Sequence, residues 1–392
     1  MNCDVFLTDG HWRKTLAAVR ALGTHGVRVT VGESTRLATA AFSRYCHRRM
    51  IYPSPLFNPS GFVSFIKGEL SRRSYQMLLP MEDETATLFA EHRSELSKWT
   101  YLPVPSYQKL RFAQNKENVL KLAEKIGVPI PKTYYIRNIS MLNDLKDDLP
   151  YPVVIKPKNS GGAVGVSYAH NPKELMKQYP VIHRRFPYPL IQERIPRHGA
   201  GYGASLLMDE NGHVKASFVH KRLREYPVTG GASTLRVSVR QDDVLDMART
   251  LLKSLDWFGV AMVEFKMDPR DNTPKLMEIN PRFWGSLNLA VIAGVNFPYL
   301  LYRMSRGEKI APVEHYLIGK KCRWLLPGDM LHFIKNPERR RLLPGFFNFW
   351  DKDTAYDILS VKDPLPALGR ILTSATFLYD KDMKHRLQQR TG

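Results

Sequence analysis

The segment from Val260 to Arg282 constrains this chain more than any other. It reads Val-Ala-Met-Val-Glu-Phe-Lys-Met-Asp-Pro-Arg-Asp-Asn-Thr-Pro-Lys-Leu-Met-Glu-Ile-Asn-Pro-Arg. Two strand-like runs flank a turn rich in Asp, Pro and Asn, which predicts a β-hairpin. A turn centred near Asp271 sets Glu264 opposite Glu278, with Cβ atoms about 4.5–5.5 Å apart. Period-two alternation puts Asn280 on the face of Glu278. Two carboxylates and an amide oxygen on one face repel unless something neutralises them. Hard oxygen ligands of this kind suit Mg²⁺ that also holds phosphates. Arg282 follows with the same parity, placed for developing negative charge. A solvent-facing hairpin with two acids explains the same residues. Met262, Val263, Phe265, Met277 and Ile279 predict a buried opposite face, which fits both readings.

A second motif is Val153-Val-Ile-Lys-Pro-Lys-Asn-Ser-Gly-Gly-Ala-Val-Gly-Val166. An apolar strand delivers Lys156, a point charge for phosphate oxygens. Gly161, Gly162 and Gly165 let backbone N–H groups approach an anion closely. The GxxxxGK[ST] pattern is absent and no helix follows, so this is not a Walker A loop. A glycine-rich hairpin turn is the plainer explanation. A third segment, Leu190-Ile-Gln-Glu-Arg-Ile-Pro196, is an apolar strand stopped by proline. It suits a hinge that hydrogen-bonds a flat heterocycle.

The rest of the chain supplies the frame. Val5–Thr8, a helical run through Leu16, Val19 and Leu22, and alternating Val27, Val29 and Val31 read as a βαβ unit with a parallel sheet. Helices are expected near 60–72 and 84–98, with a strand at Gln76–Pro80 between them. Tyr101-Leu-Pro-Val-Pro-Ser marks a boundary. A helix at 115–126 stops at Gly127-Val-Pro-Ile-Pro. Strands are expected at 133–136, 153–156, 164–169, 190–194, 203–208, 214–220, 259–267 and 274–280, with a helix at 242–255. Asp9, His11 and Arg13 follow the first strand, where open α/β sheets bind ligands; a helix cap explains Asp9 equally. Residues 315–392 are aromatic, basic and broken by prolines, and match no obvious module.

Composition narrows the classes. The chain has 392 residues, 43% hydrophobic and 24% charged, with 27 Pro and 25 Gly scattered along it. That excludes collagen, a coiled coil and a mainly disordered chain. No apolar run approaches the roughly 20 residues a bilayer span needs. The start, MNCDVFLTDG, lacks a basic n-region and a long apolar run, so no signal peptide is expected. Cys3, Cys46 and Cys322 lie far apart without CxxC spacing, which predicts neither a disulfide framework nor a zinc site and favours a reduced, cytoplasmic setting. A net charge of +21, spread without a polybasic tail, points to an anionic partner.

The order of Asn115-Lys116-Glu117, Lys156 with its glycine loop, Gln192-Glu193-Arg194-Ile195, and Glu264 followed by Glu278-Ile-Asn280-Pro-Arg282 resembles the ATP-grasp superfamily. It is most similar to carbamoyl-phosphate-synthase-like and carboxylate–amine ligase members. The resemblance covers about 105–310; residues 1–104 look like a preATP-grasp domain, on less specific motifs. It implies an α/β (α+β) fold. A Rossmann-like domain would span 1–104 and a two-part ATP-grasp domain 105–314, with its lid at about 128–192. Residues 315–392 would form a C-terminal extension.

By the resemblance, Lys116 and Lys156 contact ATP phosphates, and the Ser160–Gly165 loop is the lid over them. Glu193, Arg194 and Ile195 form the hinge that reads adenine. Glu264, Glu278 and Asn280 hold Mg²⁺, or Mn²⁺ in its place. Arg282 stabilises acyl-phosphate and tetrahedral stages. Lys221, in Val219-His-Lys-Arg-Leu-Arg-Glu-Tyr-Pro227, falls near a substrate-facing lysine. The chain departs from its relatives after the hinge. His198-Gly-Ala-Gly-Tyr-Gly-Ala204 offers no acid for the ribose, only His198 and Tyr202.

The implied activity is an ATP- and Mg²⁺-dependent ligase that joins a small-molecule carboxylate to an amine, with no specific nucleic-acid partner. Two other classes compete. One is a basic nucleotide-, membrane- or nucleic-acid-binding module without ligase activity. The segment Pro337 to Trp350, aromatic and basic, suits peripheral contact with an anionic membrane, although its aromatics would equally pack the tail onto the core. The other is a kinase on the same fold. The metal triad separates an enzyme from a pure binding module.

Overall fold

The computed structural model describes residues 4–161, 164–228, 230–374, 382 and 384; Cys3 and Gly162 fall outside them. Among these residues the strands form three sheets. The first holds β1 (Val5–Leu7), β2 (Val29–Glu33), β3 (Cys46–Ile51) and β4 (Met77–Leu79) in the order β3-β2-β1-β4, all parallel. Parallel strands are covered on both faces, which is why Val5-Phe6-Leu7 is apolar throughout. Phe6 enters one core while Val5 and Leu7 enter another. The helix Arg13–Gly23 follows β1 and buries Leu16, Val19 and Leu22. The edge strand β3 alternates exposed and half-buried residues and carries His47, Arg48 and Arg49. Charged edges of this kind discourage pairing with another chain.

The second sheet is antiparallel and small. It orders β5 (Thr133–Tyr134), β6 (Val153–Lys156), β7 (Ser167–Ala169) and β8 (Leu190–Glu193) as β5-β8-β6-β7. The helix Pro172–Arg185 packs Leu175 and Tyr179 onto it, around Val153, Ile155 and Ile191. Strand β7 starts at Ser167 rather than Val164, because Gly165 turns the backbone at φ 69°. A Cβ on Gly165 would lie 2.6 Å from the Phe186 ring, so only glycine fits this turn.

The third sheet carries the long strands. β9 (Gly201–Met208), β10 (Val214–Tyr226), β11 (Ala232–Ser238), β12 (Gly259–Asp268), β13 (Thr273–Asn280), β14 (Lys321–Arg323) and β15 (Thr354–Tyr356) run in the order β13-β12-β9-β10-β11-β14-β15. One face packs Ala204, Leu206, Val219 and Val263 under the helix Asp242–Ser254. The other packs Leu207, Phe218 and Met262 against Trp284, Leu287 and the first sheet's helix. Residues 315–392, which matched no module in the sequence, supply β14 and β15 at the sheet's edge, and the helix Leu365–Ser374 packs on the turn Thr39–Phe42.

This C-terminal segment is fastened by buried ion pairs. Asp357 takes both Nη atoms of Arg236, one of them at 2.8 Å, and lies 3.5 Å from Arg13 Nε. Asp329 receives Arg224 at 2.7 Å and Arg323 at 2.6 Å. Burial raises the pKa of Asp357, but Arg236 and Arg13 outweigh it, so the carboxyl is held below its usual range. Removing one member of such a pair strands a buried charge. Asp357→Asn is therefore expected to destabilise the fold by about 3–5 kcal/mol, read from the urea midpoint at neutral pH. A depressed carboxyl pKa stabilises above the unfolded value of about 3.9 and is lost as pH falls through the folded value. The gap between wild type and variant is expected to shrink on acidification below about pH 4.

Candidate active site

The hairpin β12–β13 pairs Asp268 with Thr273, Lys266 with Lys275 and Phe265 with Leu276. Continued unchanged, that register would set Glu264 against Met277. A bulge between Glu264 and Phe265 shifts it, and Glu264 faces Glu278 instead. The extra residue also reverses parity. Leu276 and Ile279 enter the core under the helix Asp242–Ser254, while Met277, Glu278 and Asn280 line the opposite cleft. Bulges that re-aim a side chain are common beside active sites.

The two carboxylates are held by cations from other elements. Arg222 of β10 pairs with Glu264, and Asn280 Nδ2 donates to Glu264 Oε1 at 3.0 Å. Arg222 reaches Glu264 across β9 because that strand is bare on this face. Gly203 lies in register with both Glu264 and His220, and a Cβ there would sit 2.3 Å from the His220 ring. Lys116, at the start of the helix Lys116–Lys125, lies 3.0 Å from Glu278 Oε2 and also donates to the Ser160 carbonyl. Burial and the facing Glu278 push Glu264 above its ordinary pKa, against Arg222. For Glu278 burial pushes the same way, but Lys116, Arg222 and Lys156 outweigh it and the pKa falls.

Lys156 ends β6 and donates to Gln192 Oε1 at 2.7 Å on the neighbouring β8. Burial, with Lys116 close by, lowers its pKa to about 8. The glycine loop leaves this strand, and its Lys158 carbonyl accepts from the Lys116 amide at 2.9 Å. Two adjoining clefts of about 430 and 390 Å³ share Lys116, Ser160, Gly161, Glu278 and Asn280. Lys156, Glu264 and Arg282 line the second. Glu193 and Arg194 lie beyond it at the end of β8. The Glu193 carboxylate accepts from the Lys132 amide at 2.8 Å and from Arg270 at 2.7 Å, and Arg194 stacks 4.7 Å over Tyr168. Ile195 is buried beside them.

The far end of the cleft is built with residues that follow β1 and β4 of the first sheet. Arg282 is gripped by Asp83, with Nε at 3.1 Å and an Nη at 3.0 Å. Lys14 lies 2.9 Å from Glu82 and donates to the Phe283 carbonyl at 3.2 Å; burial and Arg282 lower its pKa to about 8. Arg13 stacks 4.0 Å over Trp324 and donates to the Gly285 carbonyl at 2.8 Å. Asp9 and His11 point elsewhere. Asp9 accepts from the Glu82 amide at 3.0 Å and the Thr85 hydroxyl at 2.7 Å, and His11 meets Thr35 at 2.6 Å.

Lys221 does not join this cluster. It pairs with Tyr202 and shares a face with Val219 and Val263, on the side of the sheet away from the cleft. Its neighbour Arg222 has the site parity and does the reaching. The sequence reading missed Arg222 and Lys14. The signal for Arg222 was present in the parity of Phe218 and His220 and in the glycines at 201 and 203.

Two facing carboxylates and the Asn280 amide oxygen fit Mg²⁺, a hard cation that keeps several waters and takes few protein ligands. Among the described residues no cluster of three His, Cys, Asp or Glu offers a denser site. The repulsion that raises Glu264 is what a bound cation would relieve.

A family profile described as "ATP-grasp in the biosynthetic pathway with Ter operon" matches residues 208–321. D-aspartate ligase of Enterococcus faecium (strain Aus0004) is 26% identical over 243 residues, 56% of this chain and 56% of that ligase. The chain thus spans about half the length of that curated relative. The biotin carboxylase domain of Hydrogenobacter thermophilus 2-oxoglutarate carboxylase, solved with MgADP and bicarbonate, is 14% identical with a TM-score of 0.65, over 82% of this chain and 73% of that one. The L-amino acid ligase from Bacillus licheniformis is 17% identical with a TM-score of 0.60, over 78% and 75%. At these identities the structural likeness speaks for the fold. The profile match over residues 208–321, the sequence relatives and the order of lysines, glycine loop and paired acids along the chain agree in one likeness, to the ATP-grasp superfamily.

Proposed function

We propose that this chain is an ATP- and Mg²⁺-dependent ligase that joins a small-molecule carboxylate to an amine through an acyl phosphate. One observation carries the reading: Lys116, Lys156, Glu264, Glu278, Asn280 and Arg282 line a single cleft, with acids and cations interleaved. D-aspartate ligase among the sequence relatives and an L-amino acid ligase among those sharing the fold support the carboxylate–amine class.

In the proposed reaction a carboxylate oxygen attacks the γ-phosphorus of ATP and the bond to ADP breaks. The amine then attacks the acyl carbon, phosphate leaves with its bonding electrons, and the nitrogen sheds a proton. Lys116 and Lys156 hold phosphate oxygens. Glu264, Glu278 and Asn280 would hold Mg²⁺, which supplies charge neutralisation at the transferred phosphoryl group when bound. Arg222 keeps Glu264 aimed, and Asp83 keeps Arg282 extended toward the acid. Ser160 and Gly161 close over the phosphates and keep water from the acyl phosphate. Lys14 and Arg13, at the end away from the glycine loop, line the space for the acid and the amine.

Four measurements test the reading. Glu278→Gln should fold normally yet lose Mg²⁺-dependent ADP formation by at least about 100-fold; unchanged turnover would remove the metal assignment. Arg282→Ala should keep ATP affinity within a few-fold but cost about 10²–10³-fold in kcat. In wild type with an acid present and the amine withheld, hydroxylamine should trap a hydroxamate; a stable phosphorylated alcohol would indicate a kinase. Finally, Lys156 binds phosphate as the ammonium, so ATP affinity without Mg²⁺ should fall up to about tenfold per pH unit above pH 8. Lys156→Arg, charged throughout, should flatten that profile in titration calorimetry.

A further inference from the structure

The segment from Met330 to Trp350 takes no part in the cleft, yet it is built with care. Its base is rigid. Phe346 and Phe349 stack over the buried Arg323 guanidinium at 4.5 and 5.0 Å. Phe333 stacks on Phe346 at 4.2 Å, the Pro344 carbonyl accepts from Arg224, and the Phe349 carbonyl accepts from Tyr356 at 2.8 Å. Three of its five Phe and Trp side chains therefore pack the segment onto the sheet.

The other two, Phe347 and Trp350, stand out with aliphatic neighbours. Leu343 is 88% exposed, Phe347 70% and Trp350 90%, and Ile334 is also exposed. Pinned from below, these side chains cannot retreat into the core, and water is a poor solvent for them. Beside them stand Lys335, Arg339, Arg340 and Arg341, the three arginines all exposed; Glu338 is the sole acid between 330 and 350. Ile334 and the arginines border one surface hollow. Protruding Trp, Phe and Leu on one short segment with three exposed arginines match one environment: the headgroup boundary of an anionic bilayer, apolar below and negatively charged above. A nucleic acid would favour stacking along a groove, and a protein partner has no need of so uniform a charge. No described helix is long and apolar enough to cross a membrane, so the contact is peripheral.

We propose that residues 334–350 are a membrane-docking surface for anionic phospholipid, independent of the ligase reading. It brings the cleft to a lipid surface without inserting a helix. The test is co-sedimentation of the full chain with vesicles of phosphatidylcholine alone, and with an equal mixture of phosphatidylcholine and phosphatidylglycerol. Wild type should sediment with the mixture, lose binding in high salt and ignore pure phosphatidylcholine. Two variants should each bind at least about tenfold more weakly with unchanged melting. One combines Leu343→Ser, Phe347→Ser and Trp350→Ser; the other combines Arg339→Gln, Arg340→Gln and Arg341→Gln. Amide exchange of wild-type 334–350 should slow on the mixed vesicles, which covers the case of a variant that fails to fold. Wild type that stays in solution, variants that bind as well as wild type, or unchanged exchange would overturn the proposal. So would a dimer, or retention on RNA, that the serine variant abolishes while vesicles are ignored.

Discussion

Everything around the cleft answers one electrostatic demand: Glu264 and Glu278 face each other on paired strands, and like charges that close do not tolerate burial unaided. The neutralising groups come from three directions. Arg222 arrives across a strand stripped to glycine, Lys116 arrives from the first turn of a helix, and Lys156 stands one strand away on the small sheet. The position of the small antiparallel sheet relative to the large one is thereby tied to the charge state of two side chains. Arg282 extends the pattern, since its own charge is met by Asp83 and Glu82, which follow β4 of the first sheet. Acids and bases alternate from the glycine loop to the far wall.

The same logic explains the C-terminal segment. Arg224, Arg236 and Arg323 are buried in or beside the large sheet, where an unpaired guanidinium would be costly. Their acids, Asp329 and Asp357, come from beyond residue 315. Asp357 also stands beside Arg13, and Trp324 stacks on it. Residues remote in sequence thus complete the wall of the cleft and position one of its cations.

Much of this was legible in the sequence, because strand periodicity and turn residues act locally. The βαβ opening, the long hairpin and the order of lysines, glycine loop and acids all follow from such signals. The facing of Glu264 and Glu278 was readable as well, but through a bulge that the turn residues alone do not announce. What escaped was set by distant partners. Strand β3 is polar because it is an edge, and β14 and β15 are three residues each, held by a sheet formed from other parts of the chain. The resemblance at 219–227 points to Lys221 and leaves Arg222 unread, because such a stretch carries no facing until its strand neighbours are known. Asp9 caps the turn before another helix, Asp83–Glu91, rather than its own, so its role needed a contact 73 residues away.

The bulge at Met277 has a meaning for how such a chain can vary in length. Between Lys266 and Lys275 the hairpin is a free end, and residues gained or lost in pairs there leave everything toward the cleft in phase. Gain or loss of one residue between Glu278 and Asn280 would instead send Asn280 to the core face and away from the two carboxylates. Across relatives, the tip should therefore drift in length while the spacing from the bulge to Asn280 stays fixed. A count of residues, rather than their identity, would be the trait under selection.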